Sequence, residues 1–246
     1  MNTSGPTVSR PTVVLVHGEF SDATCWFGVI AELHRRDVAV VAAANPLRGL
    51  AHDAEYLVSL LSGIDGPVVL VGHSYGGALI TDVGSAANVL GLVYVAAYLP
   101  DVGESFEKIG KLFAPSPIRA HLRRSSVAAP DTDRVTELTI RRDAFPALFA
   151  GDLDPELAGV LATVQRPITE RTLTEAVSTA AWRTKPSWAL VTGADQTLLP
   201  EIQRFTAQRA GAVTVEAPGA SHAVTVSRPS MVAELILEVT RTPSSG

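Results

Sequence analysis

Residues 72–76 read Gly-His-Ser-Tyr-Gly, a G-x-S-x-G pattern that follows the apolar run PVVLV (67–71) and precedes a segment with helical spacing. A serine between a strand and a helix has to sit on a turn sharp enough to lift its Oγ clear of the backbone. The residues two away on either side must be small there, because the strand and helix backbones approach each other. Gly72 and Gly76 meet that need. The following helix also turns its N-terminus toward the serine, which favours negative charge at the same spot. The chemistry implied is nucleophilic attack by Ser74. An unactivated hydroxyl is a weak nucleophile, so a base to take its proton and an acid to orient that base must come from elsewhere in the chain. The bland alternative is a glycine-rich turn that only packs.

The elements that must position this serine alternate. Residues 12–17 (TVVLVH), 38–44 (VAVVAAA), 67–72 (PVVLVG) and 91–99 (GLVYVAAYL) are nearly continuous apolar runs, the pattern of parallel strands covered on both faces. Between them, residues 24–35, 51–62 and 75–87 carry apolar residues at helical spacing. Strand alternating with helix predicts an α/β fold with a mostly parallel central sheet and helices on both faces. The alternation stops near Pro100 and resumes with strands at 187–193 and 212–218 and helices over 200–210 and 229–240. Between these stretches, prolines such as Pro115, Pro117 and Pro146 interrupt short amphipathic pieces, and SSVAAPDTD (125–133) reads as a loop. The expected division is a first core segment at 1–100, a mostly helical cap insertion at 101–184 that packs separately, and a second core segment at 185–246. Residues 1–10 and the tail TPSSG read as frayed ends.

Composition narrows the function classes. The chain has 246 residues, enough for one large domain with a real core, and a formal net charge of -5, which argues against a nucleic-acid partner. Cys25 is the single cysteine, so neither an internal disulfide nor a cysteine-based metal site can form. A lone thiol suits a reducing compartment, and the first residues lack the apolar stretch of a signal peptide; a cytoplasmic location is expected. No apolar run approaches the length that spans a bilayer, so no membrane partner is expected. No spacing of Asp, Glu and His suggests a metal, and no phosphate-cradling glycine loop is present, so no cofactor is expected.

The motifs LVHG (15–18) and GHSYGG (72–77), with ANPLRGLAHDAEYL (44–57), LVYVAAYLPDVGES (92–105) and PGASHAVTVSRP (218–229), resemble the α/β-hydrolases. Within them, the chain is most similar to the small capped enzymes that include plant methylesterases, plant hydroxynitrile lyases and bacterial pyrethroid-type esterases. The likeness runs from about Pro11 to Val239 and is weakest in the cap. In this fold the triad runs Ser, acid, His along the chain. Of six histidines, only His121 and His222 follow Ser74. His222 lies in a loop after a late strand and is the expected base; His121 sits among cap arginines and reads as surface. Asp195 ends a strand between Ser74 and His222, and the resemblance puts the family's acid there. Asp101, after the preceding strand, is the runner-up.

The oxyanion hole implied by the resemblance takes the N–H of Tyr75, next after the serine, and the N–H of the residue after His17-Gly18, which is Glu19. Family members usually have a small residue at that position. The backbone donor is present whatever the side chain, but an ionised carboxylate beside an oxyanion would slow the reaction, so Glu19 is expected to turn away, be hydrogen-bonded or stay protonated. The resembling lyases have a threonine at the position of Gly18 and a lysine at that of Ala223; neither is present here. Trp26 and Phe27 read as packing residues, His17 as a loop brace and Cys25 as an apolar filler. These readings predict a cofactor-independent serine hydrolase acting on a small ester or lactone, in an apolar pocket furnished by Phe106, Leu112, Phe113, Phe145 and Phe149. The alternatives are a lyase or tailoring enzyme using the same groups for acid–base chemistry, and a non-catalytic ligand binder.

Overall fold

The computed structural model describes residues 10–129 and 132–241, so the end readings at 1–9 and 242–246 lie outside it, as do Pro130 and Asp131. The first half alternates as its periodicity demands: β1 (Thr12–Val16), α1 (Phe27–His34), β2 (Val40–Ala43), α2 (Leu50–Ser62), β3 (Val68–His73), α3 (Tyr75–Val83) and β4 (Val89–Val95). The intervening segment holds α4 (Phe106–Gly110), β5 (Leu122–Ala129), β6 (Thr132–Ile140), α5 (Phe145–Phe149), α6 (Pro155–Val164), β7 (Ile168–Thr169) and α7 (Arg171–Thr174). The chain then returns with β8 (Ser187–Thr192), α8 (Pro200–Arg209), β9 (Val213–Ala217), α9 (Val224–Ser227) and α10 (Pro229–Arg241).

Six strands form one sheet in the order β2-β1-β3-β4-β8-β9, every neighbouring pair parallel. The chain starts at β1, moves outward to β2, and returns past β1 to β3. The strand order reverses there, and the carboxyl ends of β1 and β3 flank the crevice where ligands of open α/β sheets bind. Val16 pairs with Gly72 in that register, so His17–Glu19 and His73–Ser74 emerge side by side.

Both faces of the sheet are covered, which is why its strands are apolar at successive positions. Val13, Leu15, Val69 and Val71 pack with Val29 and Leu33 of α1 and Val232 and Ile236 of α10. Val14, Val16, Leu70 and Tyr94 pack on the opposite face with Leu57 of α2 and Leu79 of α3. That second core continues without a break into Ile118, Leu138, Ile140, Phe145 and Ile168 of the segment after Pro100. The insertion therefore shares a core with the sheet and does not pack separately.

The insertion is also not built of helices alone. β5, β6 and β7 form a three-stranded antiparallel sheet, and the described residues of SSVAAPDTD, 125–129 and 132–133, belong to β5 and β6 rather than to a plain loop. Two features hide these strands from a periodicity reading. A register shift between Val127 and Ala129 breaks the alternation, and polar residues occupy both faces of β6. One of them, Glu137, is buried and pairs with Arg48 of the loop before α2. Main-chain bonding from Thr169 N to Leu47 O ties the same loop to β7 at 3.2 Å.

Candidate active site

Ser74 occupies the junction of β3 and α3 with φ 52° and ψ −120°, a conformation sterically disfavoured for a residue with a Cβ. The turn closes tightly enough to require its flanking glycines. A Cβ on Gly72 would fall 2.4 Å from Gly76 O, and one on Gly76 would fall 2.3 Å from Val16 O. Main-chain bonds brace the strained residue on both sides, Ser74 N to Val95 O at 3.1 Å and Gly77 N to Ser74 O at 2.9 Å. Phe20 in the loop after β1 and Ala96 after β4 also have positive φ, so backbone strain gathers at the carboxyl ends of three adjacent strands.

The structure brings His222 and Asp195 together. Both are fully buried, and His222 Nδ1 lies 2.6 Å from Asp195 Oδ2. Asp195 accepts four further hydrogen bonds: Oδ1 from the amides of Thr197 and Leu198, Oδ2 from Thr192 Oγ1 and Gln203 Nε2, all within 2.8–3.0 Å. A carboxylate so saturated is rigid and acceptor-only, so the shared hydrogen resides on His222 Nδ1 and Nε2 carries the lone pair. Nε2 is buried and has no hydrogen-bond partner among the described residues. The His222 loop is held against the serine turn by His73, whose Nε2 donates to His222 O at 2.9 Å. Burial, with the neighbouring His222 second, pushes the His73 pKa well down, so His73 is a neutral donor.

Asp101 is not brought to His222. Its carboxylate takes the Arg183 guanidinium at 2.7 Å, and that hydrogen bond holds its pKa below the ordinary value. His121 stands at the foot of β5, in the insertion.

Around Ser74 lies a cavity of about 460 Å³ between the sheet's carboxyl ends and the insertion. Glu19, Ser74 and Tyr75 belong to its lining, with apolar walls from Phe20, Ile118, Leu138 and Leu198 and exposed Arg119 and Arg124 at the rim. Of the five aromatic and aliphatic residues expected in the pocket, Phe106 alone lines this cavity. Leu112 is exposed, Phe113 packs on Phe205, and Phe145 stacks on Phe149, whose ring meets that of His222 edge-on at 4.9 Å. Trp26 is buried and Phe27 exposed. The Cys25 thiol is pushed up to about 12 by burial, so it is no nucleophile at neutral pH.

The Glu19 and Tyr75 amides emerge where β1 and β3 end, and neither donates to a protein acceptor among the described residues. His17 shapes the loop: its Nδ1 donates to Gly18 O at 2.9 Å, and Asn45 Nδ2 donates to His17 O at 3.2 Å. Gly18 leaves no room for a side chain, since a Cβ there would meet Ser74 Cβ at 2.6 Å. The Glu19 carboxyl does not turn out to solvent. Its Oε1 lies 2.7 Å from Thr172 Oγ1 of α7, and desolvation pushes its pKa up to about 7 against that hydrogen bond and the nearby His222. Beneath the floor, Tyr75 Oη donates to buried Asp53 at 3.0 Å.

The alpha/beta hydrolase family matches the chain over residues 13–235. The chain belongs to that family. Among relatives of this hydrolase-family chain, the alpha/beta hydrolase nvfD of Aspergillus novofumigatus is 25% identical over 252 aligned residues, covering 92% of this chain and 95% of that protein. Two solved structures share the fold. Polyneuridine aldehyde esterase superposes with a TM-score of 0.81 at 19% identity, covering 94% of this chain and all of that one. A pyrethroid hydrolase from Sphingobium faniae JZ-2 superposes with a TM-score of 0.78 at 20% identity, covering 96% and 99%.

Sequence reading missed the groups that hold the site from a distance. Thr192 and Gln203 on Asp195 and Thr172 on Glu19 carry no local motif, and His73 fills a position of the G-x-S-x-G pattern that is open to any residue. Gln203 had one trace: it is a buried polar residue on the inner face of α8, whose other buried positions include Ile202 and Ala207.

Proposed function

We propose that this chain is a cofactor-independent serine hydrolase that cleaves a small, largely apolar carboxylic ester or lactone through an acyl-enzyme on Ser74. The observation that carries the reading is the His222–Asp195 pair, with Nε2 left free in a loop anchored to the serine turn. Ser74 Oγ attacks the ester carbonyl and its proton passes to His222 Nε2. The carbonyl oxygen becomes an oxyanion held by the Tyr75 and Glu19 amides, near the N-terminus of α3. Collapse of the tetrahedral adduct breaks the ester C–O bond, and the leaving oxygen takes the proton from His222. Water then attacks the acyl carbon, giving a proton to His222, and the second collapse releases the carboxylic acid and restores Ser74. Asp195 holds the imidazole and stabilises its protonated form. The insertion acts as the cap: it supplies much of the cavity wall and thereby sets acyl-chain preference.

The lyase reading loses support from the crowding at Gly18, which excludes the threonine of the resembling lyases without movement of the serine turn. A fluorophosphonate probe and a chromogenic short-chain ester test the proposal together. The expected result is covalent labelling at Ser74, an initial burst of chromophore, and loss of both in Ser74→Ala. Consumption of substrate without release of acid would instead favour a tailoring reaction on the same groups.

A further inference from the structure

The Glu19 side chain has no part in the reaction just described, which uses only its amide. It is nevertheless a carboxyl group in the lining of the cavity, separated by a short stem from a nitrogen assigned to the oxyanion. Its polar surroundings are lopsided. Oε1 contacts Thr172 Oγ1 at 2.7 Å, and Oε2 has no protein partner among the described residues. Thr172 Oγ1 also lies 2.9 Å from Thr169 O, in a buried position. A hydroxyl carries one hydrogen, and a carbonyl oxygen only accepts. When the Thr172 hydrogen goes to Thr169 O, the short contact to Oε1 has to be filled by a proton on Glu19. The carboxyl is then a neutral acid bonded to α7 through Oε1, presenting Oε2 to the cavity as an acceptor. Tyr98 lines the same cavity, and its hydroxyl likewise has no hydrogen-bond partner among the described residues. Burial foremost, and an ionised Glu19 second, push the pKa of that phenol well up, so it stays a hydroxyl.

Glu19 Oε2 and the Tyr98 hydroxyl, set in a wall shared with Phe20, Ile118, Leu138 and Leu198, form a subsite for one oxygen-bearing substituent of the substrate. The leaving oxygen must face His222, so the acyl arm is the part of the substrate that runs along the cavity wall where Glu19 meets α7. We propose that the Glu19 carboxyl, with Tyr98 beside it, receives a hydroxyl on carbon 2 or 3 of the acyl chain, so that the preferred substrates are esters or lactones of hydroxy acids. A hydroxyl fits because it donates to Oε2 while accepting from the Tyr98 phenol. This inference rests on the ester-cleaving reading of the site and deepens it.

The test compares ethyl 3-hydroxybutanoate and ethyl 2-hydroxybutanoate with ethyl butanoate on the wild-type enzyme, following acid release. One of the hydroxy esters should be favoured in kcat/KM by about 10- to 100-fold, the range for leaving a buried polar group unpaired. Its two enantiomers should differ, because the acceptor stands at one fixed point. In Glu19→Ala and in Tyr98→Phe the ratio of hydroxy to plain ester should fall toward one, whatever happens to the absolute rates. Equal rates for all three esters on the wild type, or a preference that survives Glu19→Ala, would overturn the subsite. If no ester is cleaved and Ser74 resists the fluorophosphonate, the hydrolase reading fails. The subsite is then judged by calorimetric binding of the same esters to Ser74→Ala: tighter binding of a hydroxy ester, lost when Glu19→Ala is added, upholds it, and equal binding overturns it.

Discussion

His73 Nε2 donates to the main-chain carbonyl of His222 over 2.9 Å in the protein interior, joining the residue before Ser74 to the loop that carries His222. The bond spans 149 residues of sequence and, together with Ala223 N donating to Phe149 O, fixes the loop.

Replacing His73 by phenylalanine keeps the ring and removes the donor. The His222 carbonyl is then left buried and unpaired, which should destabilise the fold by about 1–3 kcal/mol. The loop is freed as well, so kcat should fall while KM for a short ester changes little. Chemical denaturation and steady-state kinetics on the one variant check both effects.

Asp195→Asn should lower kcat by about 10³- to 10⁴-fold with the fold intact, because an amide nitrogen facing Nδ1 favours the wrong imidazole tautomer. Asp101→Asn should lose only its contact with Arg183, a partly exposed ion pair, and change kcat by less than about twofold. The opposite order in a pair of rate measurements would move the acid to Asp101.

Glu19 makes the activity and the stability depend on pH in a definable direction. Its folded pKa of about 7 is above the ordinary 4.5, so its contribution to stability is fully present below about 4.5 and is lost as pH rises through about 7. At about 1.4 kcal/mol per pH unit, that interval is worth on the order of 3 kcal/mol. Glu19→Gln, which cannot ionise, should gain by that order over the wild type between pH 4 and pH 9. In the wild type, ionisation also places a negative charge beside the proposed oxyanion position, so kcat/KM for a neutral ester should decline above pH 7. Paired pH–stability and pH–rate profiles should show both effects in the wild type and neither in the variant.

Gly18→Thr should inactivate the enzyme. Its Cβ would stand 2.6 Å from Ser74 Cβ, inside contact distance, and something in the serine turn must move. Overpacking of this kind costs about 1–3 kcal/mol. Thermal denaturation should show the destabilisation, and the fluorophosphonate should label the variant far more slowly than the wild type.

Much of the fold was legible because the sheet obeys local rules. Strands buried on both faces must be apolar at consecutive residues, and α3 must follow a serine flanked by Gly72 and Gly76 where backbones touch. Those demands are written within a few residues of each other, so TVVLVHG and VVLVGHSYGG identified two adjacent strands and the turn between β3 and α3. The hairpin of β5 and β6 was not legible, because its strands are half exposed, shifted in register and polar on both faces. Their pairing is set by the partner strand and by the core shared with Ile140 and Phe145.

The residue types at the site were set by the chain itself: a serine on a strained turn, a histidine in a late loop, carboxylates at strand ends, and a glutamate where a small residue is usual. Which carboxylate reaches which partner was decided only in three dimensions. Asp101 and Asp195 both follow strands, but Arg183 captures the first, while Thr192, Gln203 and two amides orient the second toward His222. Glu19 shows the same division. Sequence position puts its amide at the end of β1; the hydroxyl of Thr172, 153 residues away, places its carboxyl in the cavity wall. The physical reason is range. Backbone geometry and burial act over a few residues and leave a pattern in the chain, whereas hydrogen bonds between distant side chains exist only after the sheet and the insertion have closed on one another.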